Sequence, residues 1–189
     1  MIPKQAINVA RKFAYAQSRK YGTPPISSVE YTNEKRQWLA KTLDANKNIV
    51  LLGTLLMDCK LGYAKKTGKL PEHQRMSAGI AKKILNQFPQ ITNEEKKNVL
   101  ECILQHHGSK EFYSLEAEIC CNADCYRFAS TKGIMLLMKD TKDHISRKWV
   151  DFLSWKADEK WNALSIPACK KELRPQYRTI KALLRNYKE

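Results

Sequence analysis

The sequence contains no apolar run that approaches the roughly 20 residues needed to span a lipid bilayer. It also contains no alternating apolar and polar stretch and no Asn-Gly dipeptide, which are the usual signals of strands and hairpins. Internal repeats and low-complexity segments are likewise missing. These absences argue against a membrane protein, a β-sheet protein and a repeat protein, and they favour an all-α chain.

The six cysteines form no C-x-x-C pair and show no zinc-finger spacing, so the sequence predicts neither a redox dithiol nor a zinc finger. Several of them fall in apolar helical rows, where a free cysteine behaves as a small hydrophobe. This usage is typical of a reducing, cytoplasmic environment. The first residues are basic and lack an apolar secretory region, and we interpret them as an amphipathic helix rather than a targeting segment.

Acidic residues are scarce relative to basic ones, with 19 Asp and Glu against 34 Lys and Arg and a net charge of +15. Such an excess favours anionic partners such as nucleotides, nucleic acid or acidic surfaces. A basic surface that serves only solubility is equally consistent with the composition. The length of 189 residues fits one domain and requires no second core.

Apolar residues spaced three and four apart predict helices along most of the chain. The predicted helices cover residues 3–20, 33–43, 49–61, 72–86, 92–107 and 114–128, with further helical patterns at 134–138, 145–161 and 177–184. Residues 61–70 are interpreted as a basic loop, Thr92 to Glu95 as a capping box, and Pro167 and Pro175 as helix boundaries. We expect residues 1–30 to form an N-terminal helix and linker, 31–130 a core, and 131–189 C-terminal helices that pack on it within one domain.

Five polar residues lie in or beside apolar helical rows: Asp58, His73, His106, His107 and Asp124. An isolated polar side chain in such a position costs free energy unless it finds a partner, and a shared metal or phosphate is the simplest partner. Taken singly, most have ordinary explanations: a helix-end carboxylate that reaches water, a capping histidine, and a histidine pair at the negative end of a helix dipole. Their joint occurrence is what predicts a site.

The histidine pair carries a geometric restriction if the predicted helix ends at His107. Adjacent helical side chains point about 100° apart. His106 and His107 should then not bind one metal from one direction. They would serve two metals, or one would bind a metal while the other contacts phosphate.

Four segments resemble, in order, the motifs of HD-domain phosphohydrolases: LLGTLLMDCK, EHQRMSAGIAKKIL, ILQHH and LEAEICCNADCYRF. The resemblance covers roughly residues 30 to 130. It implies an all-α, HD-domain-like helical bundle and hydrolysis of phosphate esters, often nucleotides, with one or two divalent metals. By position, Asp58 matches the HD aspartate and Asp124 the final aspartate, and His73, His106 and His107 match histidines that contribute a second metal or phosphate contacts.

Two departures from this pattern affect the first metal. Met57 stands where the family has the histidine of the HD pair, and no histidine precedes His73; Asn33 or Glu34 occupies the neighbourhood of the upstream ligand. A thioether is a poor ligand for hard divalent ions, which prefer oxygen or imidazole. We therefore expect the usual first metal site to be weak or missing.

The resulting prediction is a metal-dependent phosphohydrolase-like protein that acts on a nucleotide or another phosphate ester through an incomplete metal site. A divalent ion of unspecified identity is assigned to Asp58, His73, His106, His107 and Asp124, with Glu34 as a further candidate. Asp58 and Lys60 are the candidate catalytic residues. The candidate phosphate-binding residues are Lys65, Lys66, Arg75 and Arg127.

Two other interpretations stay open at the level of the sequence. One is a catalytically inactive HD-fold module that binds a nucleotide or nucleic acid through a basic pocket and holds no metal. The other is a partner-binding protein whose polar set is vestigial. Trp149, Trp155 and Trp161 would then mark an interface, although three tryptophans at six-residue steps are more typical of a core.

Overall fold

The computed structural model describes residues 2–140 and 146–187, and within these ranges the chain is helical without a strand. The expected all-α class is confirmed. A single 3-10 turn, Leu70–Glu72, precedes the fifth helix. The helices are α1 (Lys4–Tyr21), α2 (Ile26–Thr42), α3 (Lys47–Leu56), α4 (Leu61–Lys66), α5 (His73–Leu85), α6 (Asn93–Leu104), α7 (Leu115–Ala129), α8 (Thr131–Asp140), α9 (Arg147–Ala163) and α10 (Pro167–Asn186).

Helix α7 lies at the centre of the molecule, and every residue from Ile119 to Ala129 is buried. It packs against α2, α6, α8 and α9, while α3 packs beside it against α1, α2 and α6. Leu52 and Leu56 of α3 belong to the same apolar core as Ile119. A polar group on α7, or just after α3, is therefore held in the interior of the protein.

A smaller apolar cluster joins the C-terminal helices to the end of α7 through Phe128, Leu137, Leu153 and Ile180. The three tryptophans behave differently from one another. Trp161 stacks on Tyr177 with 4.7 Å between ring centroids, whereas Trp155 is 57% exposed. A core position is thus wrong for Trp155. The division of the chain into a linker, a core and C-terminal helices stays a prediction.

Two helices end earlier than the apolar pattern predicts, and both differences affect the site. Helix α3 ends at Leu56, so Asp58 lies in the following turn and not on the helix. Helix α6 begins at the capping box of Thr92 and Glu95, as expected, but ends at Leu104. The chain reverses direction at Gly108, whose φ of 113° favours glycine. His106 and His107 therefore lie in a turn.

Other boundaries also differ from the prediction. Helix α2 begins at Ile26, directly after Pro25, and residues 61–66 of the expected loop form α4. Helix α10 continues through Pro175. Proline costs about 3 kcal/mol within a helix, but Leu173 and Ile180 are buried on either side of it, and burial of each contributes about 1.5–3 kcal/mol. The predicted start of α9 at Ile145 lies outside the described residues.

All six cysteines are buried and free, in agreement with their interpretation as small hydrophobes. Among the described residues, no helix combines the length and the apolar character that a membrane span requires.

Close packing between α3 and its neighbours leads to a stability prediction at Gly53. A Cβ at Gly53 would lie 2.6 Å from Cβ of Cys102 and 3.0 Å from Sγ of Cys120, whereas a Cβ at Gly79 would meet nothing within 4 Å. We expect Gly53→Ala to lower the free energy of unfolding by about 1–3 kcal/mol. Gly79→Ala should raise it by about 0.5–1 kcal/mol, because alanine favours the helix.

Urea denaturation followed by far-UV circular dichroism measures both glycine variants on one scale. Equal unfolding free energies for Gly53→Ala and the wild type would contradict the close approach of α3, α6 and α7.

Candidate metal and phosphate site

Three histidines converge between the start of α5 and the turn after α6. One ring nitrogen from each of His73, His106 and His107 lies within 4.8 Å of the others. A helical His106–His107 pair was predicted not to bind one metal from one direction. This prediction is wrong, because both residues follow the last turn of α6. Their rings can face the same point. The three ring nitrogens are close enough together to hold a metal ion.

Hydrogen bonds fix the tautomers of two of these histidines. Nδ1 of His73 donates to the carbonyl oxygen of Leu70 at 2.8 Å, and Nδ1 of His106 donates to that of Ile103 at 2.7 Å. A carbonyl oxygen only accepts, so in the neutral form of each ring the proton lies on Nδ1 and the lone pair on Nε2. Both Nε2 atoms are buried without a hydrogen-bond partner in the described part of the chain. Metal-binding histidines have this arrangement, since they donate their other nitrogen to a carbonyl or carboxylate.

His107 is oriented by a carboxylate on α9. Its Nδ1 lies 3.0 Å from Oε1 of Glu159, which Lys156 also contacts at 2.8 Å. Burial lowers the pKa of His107 to about 4 and outweighs the opposite effect of Glu159. Burial likewise lowers the pKa of His73 against the effect of Asp58. Both residues are therefore neutral at pH 7, which is the form that binds metal.

Asp58 faces the histidines with one oxygen and a cation with the other. Its Oδ1 lies 3.6 Å from Nε2 of His73 and 3.4 Å from Nε2 of His106, and its Oδ2 accepts from Nη1 of Arg127 at 2.6 Å. Burial alone would raise the pKa of Asp58, but the contacts with His106 and Arg127 hold it well below its usual range. Asp58 is thus a carboxylate that faces the Nε2 atoms of two histidines. Acceptors that face one another need a cation between them, either a proton or a metal ion.

Asp124 lies on α7 and contacts cations instead of histidines. It is 2% exposed; its Oδ1 accepts from Nη1 of Arg127 at 2.8 Å, and its Oδ2 lies 2.7 Å from Nζ of Lys160. Burial would raise its pKa, but Lys160 and Arg127 together lower it far below 3.8. Its predicted place in the metal-binding set stays a prediction.

Comparison with solved structures identifies the architecture around this site. The predicted HD superfamily hydrolase from an uncultured Thermotogales bacterium superimposes with a TM-score of 0.68 and 15% identity, over 97% of this chain and 90% of that one. A protein from Lactobacillus plantarum superimposes with a TM-score of 0.72 and 14% identity, over 100% of this chain and 97% of that one. The chain has the HD-domain fold. No protein-family model and no curated protein sequence matches it.

Within this HD fold, α2 carries both residues considered for the upstream position, and Oδ1 of Asn33 is buried without a hydrogen-bond partner in the described part of the chain. Glu34 has a side chain that is 60% exposed and pairs with Lys132 at 3.0 Å, so it does not complete the set as expected. Thr32 lines a small cavity of about 10 Å³ beside Met57, Asp58 and Arg127. The position that the resemblance assigns to the first metal therefore lacks both of its histidines.

A large cleft of about 1110 Å³ opens over the histidines. Asp58, His73, His107 and Asp124 line it, together with two further groups of residues. One group is basic and consists of Lys20, Lys65 and Lys66, and the other is aromatic and consists of Phe128, Trp149, Phe152 and Trp155. The structure thus brings the predicted phosphate ligands Lys65 and Lys66 to the same cleft as the histidines.

The remaining predicted residues lie in different places. Arg75 is exposed on α5, and Nζ of Lys60 lies 3.9 Å from the ring centroid of Tyr63; neither lines the cleft. Arg127 does line it, but its Nη1 contacts Asp58 and Asp124. The roles proposed for these residues from the sequence stay predictions.

Two charged residues of the site, Glu159 and Lys160 on α9, were not predicted from the sequence. Lys160 is 1% exposed and extends the buried row Val150, Leu153 and Ala157 at steps of three and four, so its place in an apolar row was a usable signal. Glu159 offered no such signal. It is half-buried, and it reaches His107 from 52 positions away in the sequence.

Proposed function

We propose that this protein is a metal-dependent phosphohydrolase that acts on a nucleotide or a similar phosphate ester. The proposed ligands of a single divalent ion are His73, His106, His107 and Asp58. The observation that carries the proposal is the approach of the Nε2 atoms of His73 and His106 to Oδ1 of Asp58, at 3.6 and 3.4 Å, without a hydrogen-bond partner for either Nε2 among the described residues. A divalent ion satisfies all of these acceptors at once.

The donor set also fits the chemistry. Three imidazoles and one carboxylate suit first-row divalent ions such as Zn²⁺, Mn²⁺ or Fe²⁺. A bound ion supplies Lewis acidity towards a phosphoryl oxygen and makes water a better nucleophile. Asp58 stays ionised because Arg127 and His106 keep its pKa low. Glu159 contacts Nδ1 of His107 and so orients the ring, which leaves Nε2 for the metal.

The basic group of the cleft supports phosphate binding. Lys20, Lys65 and Lys66 are all exposed and line the cleft together with His73 and His107. Lysine ammonium groups attract phosphate oxygens as mobile point charges. They would hold the non-reacting part of the phosphate group against the histidines.

The aromatic group of the cleft supports a substrate that carries a planar ring. Trp149 and Phe152 are stacked, with 5.3 Å between centroids and 13° between planes, and Trp155 lies 6.1 Å from Phe152. Stacking of a nucleobase on an exposed aromatic ring contributes about 1–3 kcal/mol. Because the aromatic and basic groups line one cleft, we favour a nucleotide over a small inorganic or aliphatic phosphate.

Chelator-sensitive hydrolysis is the test of this function. Protein purified without an affinity metal column should hydrolyse at least one member of a panel of nucleoside mono-, di- and triphosphates. Activity should fall to background after a chelator removes the ion, and addition of Zn²⁺, Mn²⁺ or Fe²⁺ should restore it. The panel should include p-nitrophenyl phosphate, which reports phosphatase chemistry without a nucleobase.

Two results would contradict the proposal. One is the absence of hydrolysis across the panel with every ion. The other is nucleotide binding that survives complete removal of metal without any turnover, which is the behaviour of the inactive binding module.

A further inference from the structure

Two buried carboxylates and two buried cations form a closed set beside the histidines. Nη1 of Arg127 lies between Oδ2 of Asp58 and Oδ1 of Asp124, at 2.6 and 2.8 Å. Nζ of Lys160 contacts the other oxygen of Asp124 at 2.7 Å. Arg127 is 7% exposed and Lys160 is 1% exposed. Both aspartates of the HD pattern therefore already have a cation from the protein itself.

The charges in this set balance. Two carboxylates contribute −2, and one guanidinium with one ammonium contributes +2, so the sum is zero. Each cation is in direct contact with a buried carboxylate, Arg127 with Asp58 and Asp124 and Lys160 with Asp124. A divalent ion between Asp58 and Asp124 would lie against the guanidinium and the ammonium that already contact these carboxylates. Like charges that close repel one another, and the set therefore disfavours an ion at that position.

Beside Met57, Asp58 and Arg127 also line a second, small cavity, which lacks space and good ligands. Met57 is 2% exposed and offers a thioether, which hard divalent ions bind poorly. The cavity, lined by Thr32 and Thr54 among others, has a volume of about 10 Å³. That is room for about one water molecule. A divalent ion with several retained waters does not fit in this cavity.

The geometry points to Arg127, assisted by Lys160, as a permanent replacement for a metal ion between Asp58 and Asp124. The protein then binds one divalent ion per chain, at the histidines, and not two. Arg127 is a positioning residue: by holding Oδ2 of Asp58, it turns Oδ1 towards His73 and His106. Only the count of one ion rests on the proposed function, because the contacts of Arg127 exist without it.

Chemical rescue of Arg127→Ala tests this inference. The substitution should lower the melting temperature by about 10 °C, because it leaves two buried carboxylates short of a cation. Methylguanidinium at millimolar concentration should enter the vacated space and recover at least half of that loss. Mn²⁺ should stabilise the variant in the same way. Arg75→Ala removes an exposed arginine and is the matched control; methylguanidinium should leave its melting temperature unchanged, and Mn²⁺ should raise it by less than in Arg127→Ala, because only the ion at the histidines contributes.

Native mass spectrometry of the wild type supplies a second measurement that does not require the variant to fold. Wild-type protein saturated with Mn²⁺ should carry one ion per chain. Two ions per chain would overturn the inference, as would a folded Arg127→Ala variant that neither methylguanidinium nor Mn²⁺ stabilises. A wild type that binds no ion, combined with successful rescue of Arg127→Ala, would contradict the proposed function and leave the replacement of the metal intact.

Discussion

Replacement of His106 with alanine should lower the affinity for a divalent ion on the order of 100-fold or more and abolish chelator-sensitive hydrolysis. His106 is fully buried, and its Nε2 lies 3.4 Å from Oδ1 of Asp58 without a hydrogen-bond donor in the described chain. Removal of a group that hydrogen-bonds to a metal-binding side chain typically lowers the affinity for the metal about 10–100-fold. Loss of the ligand itself should cost at least as much.

Isothermal titration with Zn²⁺ or Mn²⁺ gives the affinity, and a melting curve shows that the variant is folded. Glu159→Gln should have an intermediate effect of about 10–100-fold, since it weakens only the support behind His107. Glu111→Gln makes the same change of charge at an exposed position and should leave the affinity unaltered. A folded His106→Ala variant that binds the ion with wild-type affinity would show that His106 is not part of the metal site.

Asp124→Asn should destabilise the protein by about 3–5 kcal/mol, which is the usual cost of removing one partner from a buried ion pair. Asp124 is the carboxylate that Arg127 and Lys160 share, at 2.8 and 2.7 Å. The amide would leave Lys160, which is 1% exposed, with Glu159 at 3.6 Å as its remaining carboxylate contact in the described chain. Urea denaturation at pH 7 measures the loss.

The matched control is Asp158→Asn on α9. Asp158 pairs with Lys181 at 2.7 Å, but its side chain is 44% exposed, and exposed pairs contribute about 0–1 kcal/mol. Its loss should therefore be at least about 2 kcal/mol smaller than that of Asp124→Asn. Similar losses in the two variants would show that the buried charge set has no special role in stability.

The effect of Asp124 also has a defined pH dependence. Its folded pKa lies below 3.8, the value for an unperturbed side chain, because Lys160 and Arg127 outweigh the effect of burial. Its contribution to stability is thus complete above about pH 5 and is lost as the pH falls through and below 3.8. The difference in unfolding free energy between wild type and Asp124→Asn should narrow over that acidic range.

The sequence predicted the composition of the site better than its geometry. The spacing of apolar residues indicated an all-α chain, and the order of Asp58, His73, His106, His107 and Asp124 indicated the fold. These features depend on patterns along the chain, which burial of one helix face imposes directly. The structure brings the three histidines to one point, as their joint occurrence suggested.

The helix ends and the partners of the aspartates required the structure. Helix α6 stops at Leu104 rather than His107, and this difference of three residues allows both histidines to face one point. Apolar periodicity does not fix a helix end to that precision. Arg127 was assigned to phosphate because a basic side chain near a predicted site suits an anion. Its contact with Asp58 joins residues 69 positions apart, which no local pattern reports.

The most direct test of the central claim is the position of the metal ion in a crystal, located by anomalous scattering at the absorption edge of bound Zn²⁺ or Mn²⁺. We expect one anomalous peak, within coordination distance of His73, His106, His107 and Asp58. We also expect the guanidinium of Arg127, and no peak, between Asp58 and Asp124. A peak between the two aspartates, or saturating metal without a peak at the histidines, would contradict the account.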